Sequence, residues 1–254
     1  MLAAVCDGDV KELAELMRQD PDFKVNMMQD EMGWTLLHYA CYLDIRSPVI
    51  TLLLGHPDID VNVKDNGDQT PFFYACREGS TACAREMLKD SRVKLKEPTV
   101  DGYTPLWCTA YDSHLDIIKW WIASGREMDL GKPGDTDYTD AIGVANLEGN
   151  VEVVTLLERF QEHPVKTRHA MRAELGFIDE LAAEMFAMTL FVSDGLLQVN
   201  DTTTRTPAAR FFNIAAQLPL ELQMVPCHRQ VGSAKEIIPG KESEVAFKEL
   251  ARKL

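Results

Sequence analysis

Between Gly33 and Asp65 the apolar positions fall into two clusters with helical spacing, divided by a polar break. Leu37, Ala40 and Cys41 follow Thr35 at three- and four-residue steps, giving a short helix one apolar face, and the Thr35 hydroxyl is placed to cap its first turn. After a break from Leu43 to Ser47, the residues Val49, Ile50, Leu52, Leu53 and Leu54 cover most of a second helix, which Gly55, His56 and Pro57 stop. A hairpin this short cannot bury so much apolar surface alone, so the pattern requires copies stacked on it. Copies are present. Thr35, Thr70, Thr104 and then Asp140 hold the capping place at steps of 35, 34 and 36 residues, and Gly8, Asp44, Gly79, Ser113 and Gly149 hold the turn between the helices. Two independent markers therefore predict five two-helix repeats.

The capping runs are TLLHYA from Thr35, TPFFYA from Thr70 and TPLWCT from Thr104, while HLDIIKWWI and NVEVVTLLE fill the second-helix register. Together they resemble the ankyrin repeats, whose repeat opens with a Thr-Pro-Leu-His-x-Ala run. The resemblance implies an all-α ankyrin solenoid over residues 1–160, with repeats at about 1–32, 33–67, 68–101, 102–136 and 137–160. Beyond it the period is lost, and residues 161–254 read as a helical extension that caps the last repeat, whose end face must be hidden. Within the extension, Thr167 to Leu175 reads as a helix ended by Gly176. Ile178 to Val192 reads as a very apolar helix, and shorter helices are expected at 207–217, 218–225 and 242–253.

In an ankyrin array the turn before the capping Thr and the end of the inner helix line a groove that binds partners. Transferred position by position, this implies a binding set of Met32, Trp34, Tyr42, Leu43, Asn66, Gln69, Arg77, Glu78, Asp101, Tyr103, Tyr111 and Asp112. Aromatic residues and arginine dominate interface energetics because they bury large area at modest entropy cost, and each of these side chains either serves that purpose or packs along the stack. Asn62 resembles the asparagines that an intracellular oxygen-dependent hydroxylase modifies in ankyrin proteins, although capping of its turn is the favoured role. The adjacent Trp120 and Trp121 point about 100° apart on a helix, which buries one and leaves the other half-exposed.

Charge refines the picture. Residues 1–160 hold 15 Lys and Arg against 28 Asp and Glu, whereas residues 161–254 hold 11 against 12, so nearly all of the net charge of −14 sits on the repeats. Such a surface repels a nucleic-acid backbone and favours a protein ligand with a basic segment. No uninterrupted apolar run reaches eighteen residues, and acids appear early in MLAAVCDGDVKELAEL, so neither a membrane span nor a signal peptide is expected. The six cysteines lack CxxC pairing and read as small core residues of an intracellular, reducing setting, cytoplasmic with the nucleus open. A monomer is favoured.

Catalytic patterns are weak. No HExxH pair or GxSxG elbow occurs, and Gly240-Lys241 is followed by Glu242 where a phosphate loop needs Ser or Thr. His38 with Cys41 one turn on could ligate a metal, but the resemblance gives that histidine the role of fastening neighbouring turns. Asn200-Asp201-Thr202 matches a glycosylation acceptor without a secretory context. No enzyme, metal or cofactor is expected, and the function read from the chain is a non-enzymatic protein-interaction module. A second reading rests on Leu218-Pro219-Leu220-Glu221-Leu222, which resembles the opening of an F-box, with the run from Ser243 resembling its closing helix. It implies a substrate adaptor for a ubiquitin ligase.

Overall fold

A computed structural model describes residues 1–20, 23–42, 44, 47–130 and 140–193, with isolated positions beyond. Its residues fall into two compact units, Met1–Met171 and Arg172–Leu254. In the first unit, helices alternate between an inner row, α1 (Leu2–Asp7), α3 (Leu36–Tyr42), α5 (Pro71–Arg77), α7 (Pro105–Tyr111) and α9 (Ala141–Leu147), and an outer row, α2 (Val10–Gln19), α4 (Ser47–Leu54), α6 (Thr81–Lys89), α8 (Leu115–Ser124) and α10 (Val151–Glu162). Each inner helix packs on the next inner helix, and each outer helix on the next outer helix. Helix α11 (Pro164–Glu174) follows α10 after the single residue His163, and Thr167 Oγ1 donates to the Arg159 carbonyl across that joint. In the second unit, α12 (Phe177–Ser193) buries Ala182, Ala183, Phe186 and Ala187 against Cys227 and Ala246.

The inner helices start as their sequence dictates. Thr70 Oγ1 accepts from the Phe73 amide, Thr104 from Trp107 and Asp140 from Gly143, and Pro71 and Pro105 sit in the first turn where no intrahelical donor is lost. Thr35 works differently. Its amide donates to His38 Nδ1 at 3.1 Å, its hydroxyl lies 3.0 Å from the same nitrogen, and His38 Nε2 lies 3.0 Å from the Gln69 carbonyl. A carbonyl only accepts, so Nε2 carries the proton, Nδ1 accepts, and one buried neutral imidazole ties the helix start to the next repeat. Burial holds its pKa below 6.5, with the Gln69 bond pulling the other way.

The helix ends repeat too. Gly8, Gly79, Ser113 and Gly149 take left-handed φ values between 60° and 75°. The amide one residue on then bonds back to Ala4, Ala75, Thr109 or Ala145, closing a Schellman motif each time. That next residue also reaches into the preceding repeat: Ser80 Oγ donates to the Tyr42 carbonyl, His114 Nε2 to Arg77, and Asn150 Nδ2 to Ala110 and Tyr111.

Between the helix rows lie Val49, Ile50, Leu53, Met87, Ile117, Ile118, Ile122 and Leu157, all buried. Trp121 is 1% exposed and stacks edge-on against Phe72, while Trp120 is half-buried beneath the Arg85 guanidinium. Each of the six cysteines is a thiol, and every one except half-buried Cys6 is buried. Burial pushes the Cys108 thiol up to about 12 and raises those of Cys41 and Cys76 as well, so these thiols stay protonated and inert. Among the described residues, no helix is long and apolar enough to cross a membrane.

Candidate partner-binding surface

Three turns between repeats are built to one plan. Asp30 Oδ1 accepts from the amides of Met32 and Trp34, Asp65 Oδ1 from Gly67 and Gln69, and Thr99 Oγ1 from Tyr103. A tyrosine one helical turn into the inner helix then closes the first two: Tyr39 donates to Asp30 at 2.6 Å and Tyr74 to Asp65 at 2.8 Å. The bond to Asp30 lifts the Tyr39 phenol to about 12, while burial raises Tyr74 with Asp65 adding to it. Adjacent turns are also joined, since the Asn66 amide donates to the Met32 carbonyl, Asn66 Nδ2 donates to Glu31, and the Val100 amide donates to Gly67.

Trp34 corrects the sequence reading. It was expected to project outward, yet it is 8% exposed. Its ring centroid lies 4.5 Å from Tyr74, 5.0 Å from Tyr39 and 5.4 Å from Tyr42, and its Nε1 donates to the Tyr74 hydroxyl at 3.2 Å. Folding the indole back over the inner helices buries the largest side chain available and still gives its one donor a partner, which an outward pose would not do. Trp34 therefore supports the surface from beneath.

The other nominated residues separate into groups. Met32 is 57% exposed, and Asn66 and Asp101 are exposed with it at the turn tips. Leu43 lies outside the described residues. In the third repeat, Arg77 lies 4.8 Å over the Tyr74 ring, donates to Gln69 Oε1 and pairs with Glu78 at 2.7 Å. In the fourth, Tyr103 and Tyr111 are joined by a residue not nominated, Trp107, with centroids 4.8 Å and 5.3 Å away; the Trp107 and Tyr111 rings are 14° from parallel. Tyr111 is 43% exposed at the end of this ladder.

Beyond it the same two registers continue. Tyr42, Arg77, Tyr111 and Leu147 hold one position of successive repeats, and Glu78, Asp112 and Glu148 hold the next. Leu147 is 73% exposed, and Asp112 and Glu148 are both exposed. The Asp112 carboxyl is nonetheless raised above its usual range, first by partial burial at this wall and then by Glu78 and Glu148, against the pull of His114 and Arg77. Asp112 thus senses an acid one repeat away on each side, beside a stripe of aromatic and apolar side chains. Leu147, Glu148 and Trp107 were legible in principle: the first two lie 36 residues after Tyr111 and Asp112, and the third lies midway between two nominated tyrosines.

Asn62 is committed at both ends of its amide. Its Nδ2 donates to the Arg92 carbonyl and its Oδ1 accepts from the Lys94 amide, as Asn26 does with Asp58 and Asp60 one repeat earlier. Among the described residues, no group of three or more His, Cys, Asp or Glu is placed to hold a metal ion. The F-box-like run at 218–222, the Gly240-Lys241 pair and the segment at 200–202 lie outside the described residues.

A sequence profile of ankyrin repeats, in three copies, matches residues 48–132. This segment is an ankyrin-repeat array. With no strand among the described residues, the architecture is that of an all-α ankyrin solenoid. The chain is similar to SMC5-SMC6 complex localization factor protein 1 of Bos taurus, 37% identical over 167 residues that make up 64% of this chain and 16% of that protein. The Homo sapiens protein of the same name is 39% identical over 93 residues, 37% of this chain and 9% of that one. Delta-latroinsectotoxin-Lt1a of Latrodectus tredecimguttatus is 28% identical over 97 residues, 38% of this chain and 8% of the toxin. The matched part of this chain thus spans about a sixth of its bovine relative and less of the others. Ankyrin repeats are protein-interaction units, and that is the functional class of this array.

Proposed function

We propose that the inner-helix surface of the fourth and fifth repeats is a docking groove for a protein ligand with a basic segment, and that the chain acts by binding without catalysis. The carrying observation is the exposed end of the aromatic ladder, Tyr111 stacked on half-buried Trp107 and followed by Asp112, whose carboxyl senses Glu148 one repeat on. A flat ring offers contact area at little entropy cost, and exposed carboxylates favour a cationic partner over a nucleic-acid backbone. Met32, Tyr42, Asn66, Gln69, Arg77, Glu78, Asp101 and Tyr103 would extend the contact toward the earlier repeats. The relatives' name speaks of localising the SMC5-SMC6 complex, a task served by a docking surface. This array would contribute such a surface within an intracellular setting.

Quantitative affinity capture tests the reading with full-length chain as bait, wild type against Tyr111→Ala and against Asp112→Asn. Proteins lost with both variants, while the thermal midpoint of each is preserved, support the groove. An unchanged set of bound proteins would exclude it.

A further inference from the structure

We propose that Asn66 is a self-modification site, converted by solvent water to aspartate or isoaspartate after attack by the Gly67 amide nitrogen, at a rate set by how often the first two inter-repeat turns part. Among the chain's asparagines only Asn66 precedes a glycine. Asn26, Asn62, Asn146 and Asn150 precede Met, Val, Leu and Val, whose own side chains crowd the attacking nitrogen, whereas Gly67 has no Cβ to shield its nitrogen or restrict its backbone. Asn66 is also exposed at a turn tip, where water reaches it.

The chemistry needs only the chain and water. The Gly67 nitrogen gives up its proton and bonds to the Asn66 Cγ, closing a succinimide ring, and Nδ2 takes up a proton and leaves as ammonia. Water then opens the ring at either carbonyl, so amide and water become carboxylic acid and ammonia with nothing oxidised or reduced. Native hydrogen bonds hold both reacting groups back. The Gly67 amide donates to Asp65 Oδ1 at 2.9 Å, and that carboxylate is fixed in turn by the Gln69 amide and the Tyr74 hydroxyl. Asn66 Nδ2 donates to the Glu31 carbonyl at 2.7 Å in the preceding turn, next to the bond from the Asn66 amide to Met32. Attack must free the Gly67 nitrogen and swing Cγ onto it, which costs the bonds to Asp65 and Glu31, so the stacked turns act as a brake. Conversion then has a consequence. A carboxylate at position 66 has no N–H for the Glu31 carbonyl and adds negative charge to an acidic array, which loosens the tie between the first and second turns.

Incubating the full chain at mildly alkaline pH, native and in denaturing urea, and mapping its peptides by mass spectrometry tests both the site and the brake. In urea Asn66 should convert ahead of every other asparagine, and Gly67→Ala should slow it there. In the native chain conversion should run about tenfold or more slowly than in urea, as two hydrogen bonds must open first. Asn66→Asp, which carries the product's side chain, should unfold at a lower urea midpoint than wild type. No preference for Asn66 in urea would overturn the site. Native conversion as fast as in urea, or faster, would overturn the brake and make the Asp65 carboxylate an aid to proton removal. An Asn66→Asp midpoint equal to wild type would overturn the link between conversion and the stack.

Discussion

A buried indole and a buried imidazole carry much of the second repeat. Trp34 meets three tyrosine rings and spends its only donor on Tyr74. Trp34→Ala should therefore cost about 3–5 kcal/mol, the range for emptying a buried aromatic site, seen as a lower midpoint in urea unfolding. A variant as stable as the wild type would place that indole in solvent. His38 adds a pH dependence with a definite sign. Its folded pKa lies below the unfolded value of 6.5, so its contribution is complete above 6.5 and is lost as pH falls toward the lowered folded value, where only the unfolded chain accepts the proton. Thermal midpoints should drop between pH 7 and 5, and His38→Gln should flatten that drop. Single residues were legible here only in part. The capping role of Thr70 and Thr104 follows from local spacing, but the burial of Trp34 depends on Tyr74, forty residues away, and nothing local reveals which way a turn aromatic folds.

Helix ends show how one conformation can carry different costs. Gly79 and Gly149 close equivalent inner helices at φ 71° and 75°, so an alanine at either meets the same left-handed backbone penalty of roughly 1 kcal/mol. Their surroundings differ. A Cβ on Gly79 would come 2.5 Å from the His114 ring, whose Nε2 donates to the Arg77 carbonyl, while a Cβ on Gly149 meets nothing within 4 Å. Gly79→Ala should be less stable than Gly149→Ala by about 1 kcal/mol, about the worth of the hydrogen bond it disturbs, and denaturant unfolding of the pair would measure the difference. Equal losses would mean that His114 can step aside freely. At this scale the chain was easy to read, because caps, turns and apolar faces are set within a few residues. Bonds such as Ser80 to Tyr42 and Asn62 to Arg92 were not, since they join repeats and a single repeat carries no sign of them.

Across the whole array, repetition turns single side chains into rows. Because partial burial, with Glu78 and Glu148, raises the Asp112 carboxyl, affinity for a basic ligand should begin to fall at a higher pH than an ordinary aspartate would allow. Asp112→Asn should remove that component of the pH profile, and a pH titration of binding in both proteins checks it. Raising ionic strength should weaken the same complex, as exposed charge pairs are screened over roughly 10 Å at 0.1 M salt. By itself the sequence determined the repeat period, the two-helix unit, the acidic character of residues 1–160 and the buried state of most cysteines. Each of these follows from local periodicity or from composition. Only the tertiary structure decided that Trp34 lies under the surface, that Trp107 links Tyr103 to Tyr111, and that Asp112 lies within electrostatic reach of Glu148 one repeat away. Stacking brings together residues more than thirty positions apart, and whether neighbours in such a row bury, pair or stay open depends on side chains from different repeats meeting in space.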